Sequence, residues 1–226
     1  MEKGKKEVII VAGGKGLRMG GDIPKQFRVI GDSPVLMHTL KAFYRYDNDI
    51  HIILVLPREQ REYWNGLCRQ YRFTIPHTLV DGGETRFASV RNGLEAVSPA
   101  GLVAVHDGVR PFVSQKVIAE AFTRAAETGA AIPVIEVTDS LREIRADGNS
   151  RSVPRQQYKS VQTPQVFRSD LLKEAYRQPY SEQFTDDASV AESAGYTVCL
   201  VPGNTENIKI TTPQDLLLAE FLANHA

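Results

Sequence analysis

Val8-Ile-Ile-Val-Ala-Gly-Gly-Lys-Gly-Leu-Arg-Met-Gly-Gly-Asp-Ile-Pro-Lys-Gln-Phe27 begins as an apolar strand and passes into a glycine-rich turn that carries Lys15, Arg18 and Lys25. A chain of linked phosphates presents clustered negative charge, and backbone N–H groups approach it only where side chains are missing. Gly13, Gly14 and Gly16, beside Ala12, provide that clearance, and the cations suit the charge. Two familiar phosphate loops are excluded by spacing. A dinucleotide fingerprint would need glycine where Met19 stands, and no G-x-x-x-x-G-K-[ST] occurs. The competing account is a plain strand-to-helix turn with incidental surface cations.

Working outward, apolar runs recur at 50–56, 103–106, 131–137 and 196–201. Stretches with apolar residues at helical spacing lie between or beside them at 34–46, 58–71, 86–97 and 115–128. Near-continuous Val/Ile strands alternating with amphipathic helices predict an α/β fold, a mainly parallel sheet covered on both faces. Sites in such sheets collect at the carboxyl ends of strands, and the glycine turn follows the first strand. The pattern breaks at 139–158, where polar and apolar residues alternate around Asp147-Gly148 with arginines at 142, 145, 151 and 155. This predicts a projecting β-arm. A lone hairpin is marginal in water, so the arm is expected to pack on a second subunit, the alternative being a mobile surface hairpin.

The 226 residues, 42% hydrophobic, suffice for one well-buried core, so a single domain over 1–226 is expected. The net charge of +0 requires any cationic site to be local and argues against a nucleic-acid track. Cys68 and Cys199 form no C-x-x-C, which points away from a zinc site or disulfide framework and towards packing residues in a reducing cytosol. The charged start, MEKGKKE, and the lack of a membrane-length apolar stretch predict a cytoplasmic protein without a membrane partner.

Three further segments can carry chemistry. Asp81-Gly-Gly-Glu-Thr-Arg86, continuing to Ser89, places Gly83 and Ser89 at a strand end and helix start where backbone groups could read a base edge; an ordinary capped helix is the alternative. Val105-His-Asp-Gly-Val-Arg-Pro111 offers Asp107 for metal or hydroxyls and Arg110 for phosphate, against a purely structural salt bridge between them. His106 reads as structural. Lys209 is expected in a short strand sharing one face with Asn207 and Thr211, and Thr185-Asp186-Asp187 could cap a helix.

AGGKGLRMG followed by PKQF resembles the signature of nucleotidyltransferases that couple a nucleoside triphosphate to a sugar or polyol phosphate. It is most similar to the 2-C-methyl-D-erythritol 4-phosphate cytidylyltransferase family, and QTPQVF (162–167), FTDDAS (184–189) and NIKIT (207–211) match further blocks in order. The resemblance implies a Rossmann-like nucleotidyltransferase sheet, a Mg²⁺-dependent reaction between CTP and a polyol phosphate, and a homodimer with exchanged arms. Arg18 and Lys25 would stabilise the transition state. Ala12, Gly13, Gly14, Gly16, Gly83, Ser89 and Asp107 would hold the nucleotide. Asp107, Gly108, Arg110, Ser140, Thr185, Arg155 and Lys209 would bind the acceptor, with Arg155 and Ser140 coming from the neighbouring subunit. The family motif is usually HDAARP, so Gly108 and Val109 are departures, and they lean towards a ribitol 5-phosphate cytidylyltransferase. A nucleotide-binding module without turnover is the remaining alternative.

Overall fold

The structure, a computed structural model, describes residues 5–13 and 23–225. The expectations for Gly14, Gly16 and Arg18, like the cation Lys15, fall outside the described residues. The strands are β1 (Lys6–Val11), β2 (Val29–Ile30), β3 (Ser33–Pro34), β4 (His51–Leu56), β5 (Thr78–Asp81), β6 (Leu102–Asp107), β7 (Ala130–Glu136), β8 (Leu141–Ile144), β9 (Ser150–Val153), β10 (Lys159–Val161), β11 (Gln165–Arg168) and β12 (Cys199–Pro202). The helices are α1 (Val35–Tyr46), α2 (Arg61–Gln70), α3 (Arg86–Glu95), α4 (Gln115–Thr128), α5 (Ser169–Ala175), α6 (Asp187–Ser193) and α7 (Pro213–His225).

Alternation along β1 builds the layers. Val8 and Ile10 face a core shared with α1, α2 and α4, whereas Ile9 faces another shared with α3, α5 and α6, and all three are fully buried. Among the described residues, eight strands form one sheet in which β1 lies between β4 and β6, both parallel to it. The chain passes from β1 to β4 and β5 on one side, then returns to the other side with β6, so the strand order reverses at β1. The sheet is mainly parallel, with β11 inserted antiparallel between β6 and β7. A third, smaller core of Ile30, Val35, Val109, Ile210 and Ala219 sits beneath α7.

Two boundaries depart from expectation. The helical stretch over 58–71 divides into a 3-10 turn, Arg58–Gln60, and α2. The expected strand at 196–201 begins only at Cys199, because the Tyr196 N–H donates back to the Ala191 carbonyl and extends the end of α6. The arm forms as expected: β8 and β9 pair antiparallel, and Asp147 accepts from the Asn149 N–H at the tip. Both cysteines are unpaired and pack against the main core.

Where α3 crosses the sheet, Gly93 permits the close approach. A Cβ there would lie 2.8 Å from Ile9 Cγ2 and 3.1 Å from Val55 Cγ2. We expect Gly93→Val to destabilise the fold by about 1–3 kcal/mol through overpacking. Urea unfolding checks this, and an unchanged midpoint would contradict the helix-to-sheet contact.

Candidate active site

In-register pairing aligns the functional segments along one edge of the sheet. Val11 pairs with both Val55 and Asp107, and Leu56 pairs with Asp81. The carboxyl ends of β1, β4, β5 and β6 therefore bring Ala12-Gly13, Pro57, Asp81-Gly82-Gly83 and Asp107 to the same side, next to the reversal of strand order. Gln26 fastens the far end of the turn there: its Nε2 donates to the Ala12 carbonyl at 2.8 Å and to Gln60 Oε1 at 2.8 Å. That bond brings Lys25, the first residue of a single 3-10 turn, close to the end of β1.

Asp107 is the centre of the charged cluster. Its side chain is 11% exposed and faces three cations from separate parts of the chain: Lys209 Nζ at 3.0 Å, Arg110 Nε at 3.2 Å and Arg86 Nε at 3.8 Å. Burial alone would push this carboxyl up. The Arg86 guanidinium, the Lys209 ammonium and the Arg110 guanidinium together outweigh burial and hold it well below the usual carboxylate range. Arg86 also grips the fully buried Asp187, with Nη1 on Oδ1 at 3.1 Å and Nη2 on Oδ2 at 2.6 Å, and the Tyr176 hydroxyl donates to the same Oδ1 at 2.6 Å. Burial would lower the Arg86 guanidinium, but Asp187 and then Asp107 raise it above its ordinary value. Three cations against two carboxylates leave one positive charge in the cluster before Lys25 is considered.

The expected salt bridge between Asp107 and Arg110 is thus present, as one part of a larger cluster. Lys209 corrects the short strand expected of it. Asn207 is fully buried and donates to the Thr163 carbonyl, Lys209 turns to Asp107, and Thr211 donates to Asp215 ahead of α7, so the three share no face. Local turns, Asn207 N–H to Asn204 and Ile208 N–H to Glu206, replace a ladder there.

Gly108 and Ser89 face the fold more than the site. The Gly108 N–H donates to Val11, its carbonyl accepts from Thr39 Oγ1, and a Cβ would lie 2.8 Å from Ala12 Cβ. Val109 is buried in the small core under α7. Ser89 Oγ accepts the Gly83 N–H at 3.0 Å and so shapes the loop before α3, whose N-cap is Thr85. Thr185 is exposed beside α6, where Asp186 is the cap and Gln165 bridges Asp186 and Ala188. Ser140 is exposed, and Arg155 donates to the Thr138 carbonyl at the base of the arm; neither makes a bond to the Asp107 cluster. Sequence reasoning did not foresee the pairing of Arg86 with Asp187 or of Asn207 with Arg110 and Thr163, because these partners lie 101, 97 and 44 residues apart. The Cys68 thiol is pushed up to about 11 by burial, and so is unsuited to act as a nucleophile.

Comparisons with known proteins give the family of the chain. The sequence model described as IspD, 2-C-methyl-D-erythritol 4-phosphate cytidylyltransferase, matches residues 7–225. The chain belongs to this family. A relative of that name from Phocaeicola vulgatus is 60% identical over 217 residues, spanning 96% of this chain and 99% of its own. One from Bacteroides fragilis is 58% identical over 214 residues, spanning 95% and 97%. The crystal structure of 2-C-methyl-D-erythritol 4-phosphate cytidylyltransferase from Thermus thermophilus superposes with a TM-score of 0.77 at 36% identity, covering 98% of this chain and 99% of that one. The 4-diphosphocytidyl-2C-methyl-D-erythritol synthase of Anaerococcus prevotii superposes with a TM-score of 0.84 at 28% identity, covering 99% and 97%. The chain is therefore an enzyme of the cytidylyltransferase class, acting in isoprenoid biosynthesis.

Beneath Asp107, burial pushes the His106 imidazole down from 6.5 to about 4, against the opposing effects of the Arg110 carbonyl and the Asp107 charge. Between those pH values the unfolded chain binds a proton that the folded one refuses. This contribution to stability is complete above pH 6.5 and declines as pH falls towards 4, by at most about 3 kcal/mol. Urea unfolding across that range should therefore show a steeper loss for the parent protein than for His106→Phe. Parallel pH profiles would rule the imidazole out as the group responsible.

Proposed function

We propose that the chain carries out its family's reaction and that the cations on Asp107 receive the acceptor phosphate. The cytidylyl group of CTP passes to 2-C-methyl-D-erythritol 4-phosphate, giving 4-diphosphocytidyl-2-C-methyl-D-erythritol and pyrophosphate. The observation that carries the reading is the convergence of Lys209, Arg110 and Arg86 on one carboxylate beside the end of β1. A 4-phosphate oxygen attacks the α-phosphorus, the bond to the bridging oxygen of the β-phosphate breaks, and its electron pair leaves with pyrophosphate. The monoester is already ionised at neutral pH, so no general base is needed and catalysis rests on positioning and charge stabilisation.

Arg110, 12% exposed, is a fixed cation, whereas Lys209, 44% exposed, has room to turn from Asp107 to an arriving phosphate. Lys25, with Arg18 in the turn, meets charge developing at the α-phosphate, and the glycine N–H groups hold the outer phosphates. Among the described residues no group of three or more His, Cys, Asp or Glu side chains could hold a metal ion. Asp107, already surrounded by cations, would be the side chain available here to offer Mg²⁺ a carboxylate ligand. When bound, Mg²⁺ supplies charge neutralisation along the triphosphate.

Relatives 60% and 58% identical that carry the methylerythritol name support methylerythritol over ribitol phosphate, while Gly108 and Val109, the departures from the family motif, pack inside the fold. Lys25 and Lys209 are both in place at the sheet edge, which supports turnover over a binding module. A cytoplasmic location suits an enzyme whose substrates are a nucleotide and a polyol phosphate. Separately, no helix among the described residues is long and apolar enough to cross a membrane. It acts as a homodimer whose exchanged arms deliver Arg155 and Ser140 to the partner's site. Support comes from the arm itself, exposed along nearly its whole length with Ile144 70% exposed.

Lys25→Ala is expected to lower turnover by roughly 10²-fold or more at an unchanged melting temperature. Pyrophosphate release with CTP and each polyol phosphate measures this, and near-normal turnover would remove Lys25 from the mechanism. Arm exchange has its own test. Arg155→Ala and Lys209→Ala proteins, each nearly inactive, should recover about a quarter of wild-type activity after unfolding and refolding as an equal mixture, since half the dimers then hold one intact composite site. No recovery would place Arg155 in its own subunit's site or outside catalysis.

A further inference from the structure

We propose that His106 is a positioning residue, a buried strut that holds the main chain of Arg110 at the distance from Asp107 needed to aim the Arg110 guanidinium at the acceptor phosphate. The proposal rests on the site reading above and goes beyond it by assigning the residue that holds the cluster in place.

The hydrogen-bond directions leave one arrangement of the ring. The Asp107 N–H donates to Thr163 Oγ1 at 3.1 Å, so that oxygen accepts there and directs its own proton elsewhere. Its next partner, at 3.0 Å, is His106 Nδ1, towards which the hydroxyl proton is free to turn. At the other side of the ring, Nε2 meets the Arg110 carbonyl at 3.0 Å, and a carbonyl only accepts, so Nε2 carries the proton. In the neutral ring Nδ1 then accepts, from the Thr163 hydroxyl. The ring is fully buried and stands edge-on to Phe43 at a centroid distance of 4.8 Å and an interplanar angle of 70°. With both nitrogens engaged and no route to solvent, His106 has no proton to exchange with substrate.

The strut continues through Thr163 to the second cation. The Thr163 carbonyl accepts from Asn207 Nδ2 at 2.8 Å, and the Asn207 carbonyl accepts from Arg110 Nη1 at 2.7 Å. Arg110 is therefore held at its carbonyl by His106 and at its guanidinium by Asn207, two residues before Lys209. Residues 106–110, 162–163 and 207–209 are distant in sequence, and the strut sets their relative positions. Removing it lets Arg110 and Asp107 shift while each keeps its charge. Because a displacement near 1 Å can lower rate about 10²-fold, a defect of about tenfold or more is expected.

His106→Phe keeps the volume of the ring but removes both polar contacts. Steady-state kinetics should show KM for methylerythritol phosphate raised about tenfold or more, with KM for CTP within about threefold of wild type. His106→Gln restores an N–H towards the Arg110 carbonyl and should recover most of the loss, whereas His106→Asn, whose amide reaches only the Nδ1 position, should not. Arg110→Ala is expected to show the same acceptor defect, and the double variant His106→Phe/Arg110→Ala should be no worse than Arg110→Ala alone. A normal acceptor KM in His106→Phe alongside a defective Arg110→Ala overturns the strut. A normal KM in Arg110→Ala overturns the site reading instead. If His106→Phe fails to fold, the Gln and Asn variants decide: equal acceptor KM values for the two refute the proposal.

Discussion

A nearly buried carboxylate cannot remain ionised unless cations accompany it, and Asp107 is where this protein meets that requirement. The balance ties three distant segments together: Arg86 from the start of α3, Arg110 from the loop after β6, and Lys209 from the approach to α7. Removing one partner would leave buried charge without compensation, so the segments are coupled by electrostatics as well as by packing. On the proposed reading the same arrangement suits an anion: the cations are already held close to one another, and only the more exposed Lys209 has to turn from the carboxylate to a phosphate.

Around this centre the polar groups are arranged in a hierarchy. Asp187 holds Arg86 from behind, Tyr176 supports Asp187, and Gln165 ties the turn before α6 to β11. His106, Thr163 and Asn207 support the Arg110 side. Such connected groups strengthen one another in a low-dielectric interior and restrict the cluster to one geometry, although the buried Asn207 Oδ1 has no hydrogen-bond partner. The more exposed Lys209 is set apart from them, which fits a cation that changes partners during a reaction.

Much of this was legible along the chain. The strands and helices around β1 were recognised from hydrophobic period alone, since a two-sided sheet needs unbroken apolar runs and its covering helices need one apolar face. Asp147-Gly148 marked the arm, and HDGVRP placed Asp107 and Arg110 at a strand end. Lys209 was also recognised, though its strand was not: alternation over 207–211 arises from three side chains with three different tertiary partners. Arg86 escaped because an arginine in a loop-to-helix turn reads as solvated until Asp187, 101 residues later, is folded against it. The roles of Gly108 and Ser89 were read as outward-facing because nothing local reveals that Val11, Ala12 and Gly83 engage them.

By itself, the sequence determined the layered α/β plan, the family resemblance and the residue types available for phosphate chemistry, because period, turn chemistry and motif order are local properties. Only the tertiary structure decided which charges share a carboxylate, which imidazole nitrogen bears the proton, and which conspicuous residues serve packing. Those outcomes depend on distances of about 3 Å between groups far apart in the chain, and such distances come into being only when β1, β4 and β6 align in register.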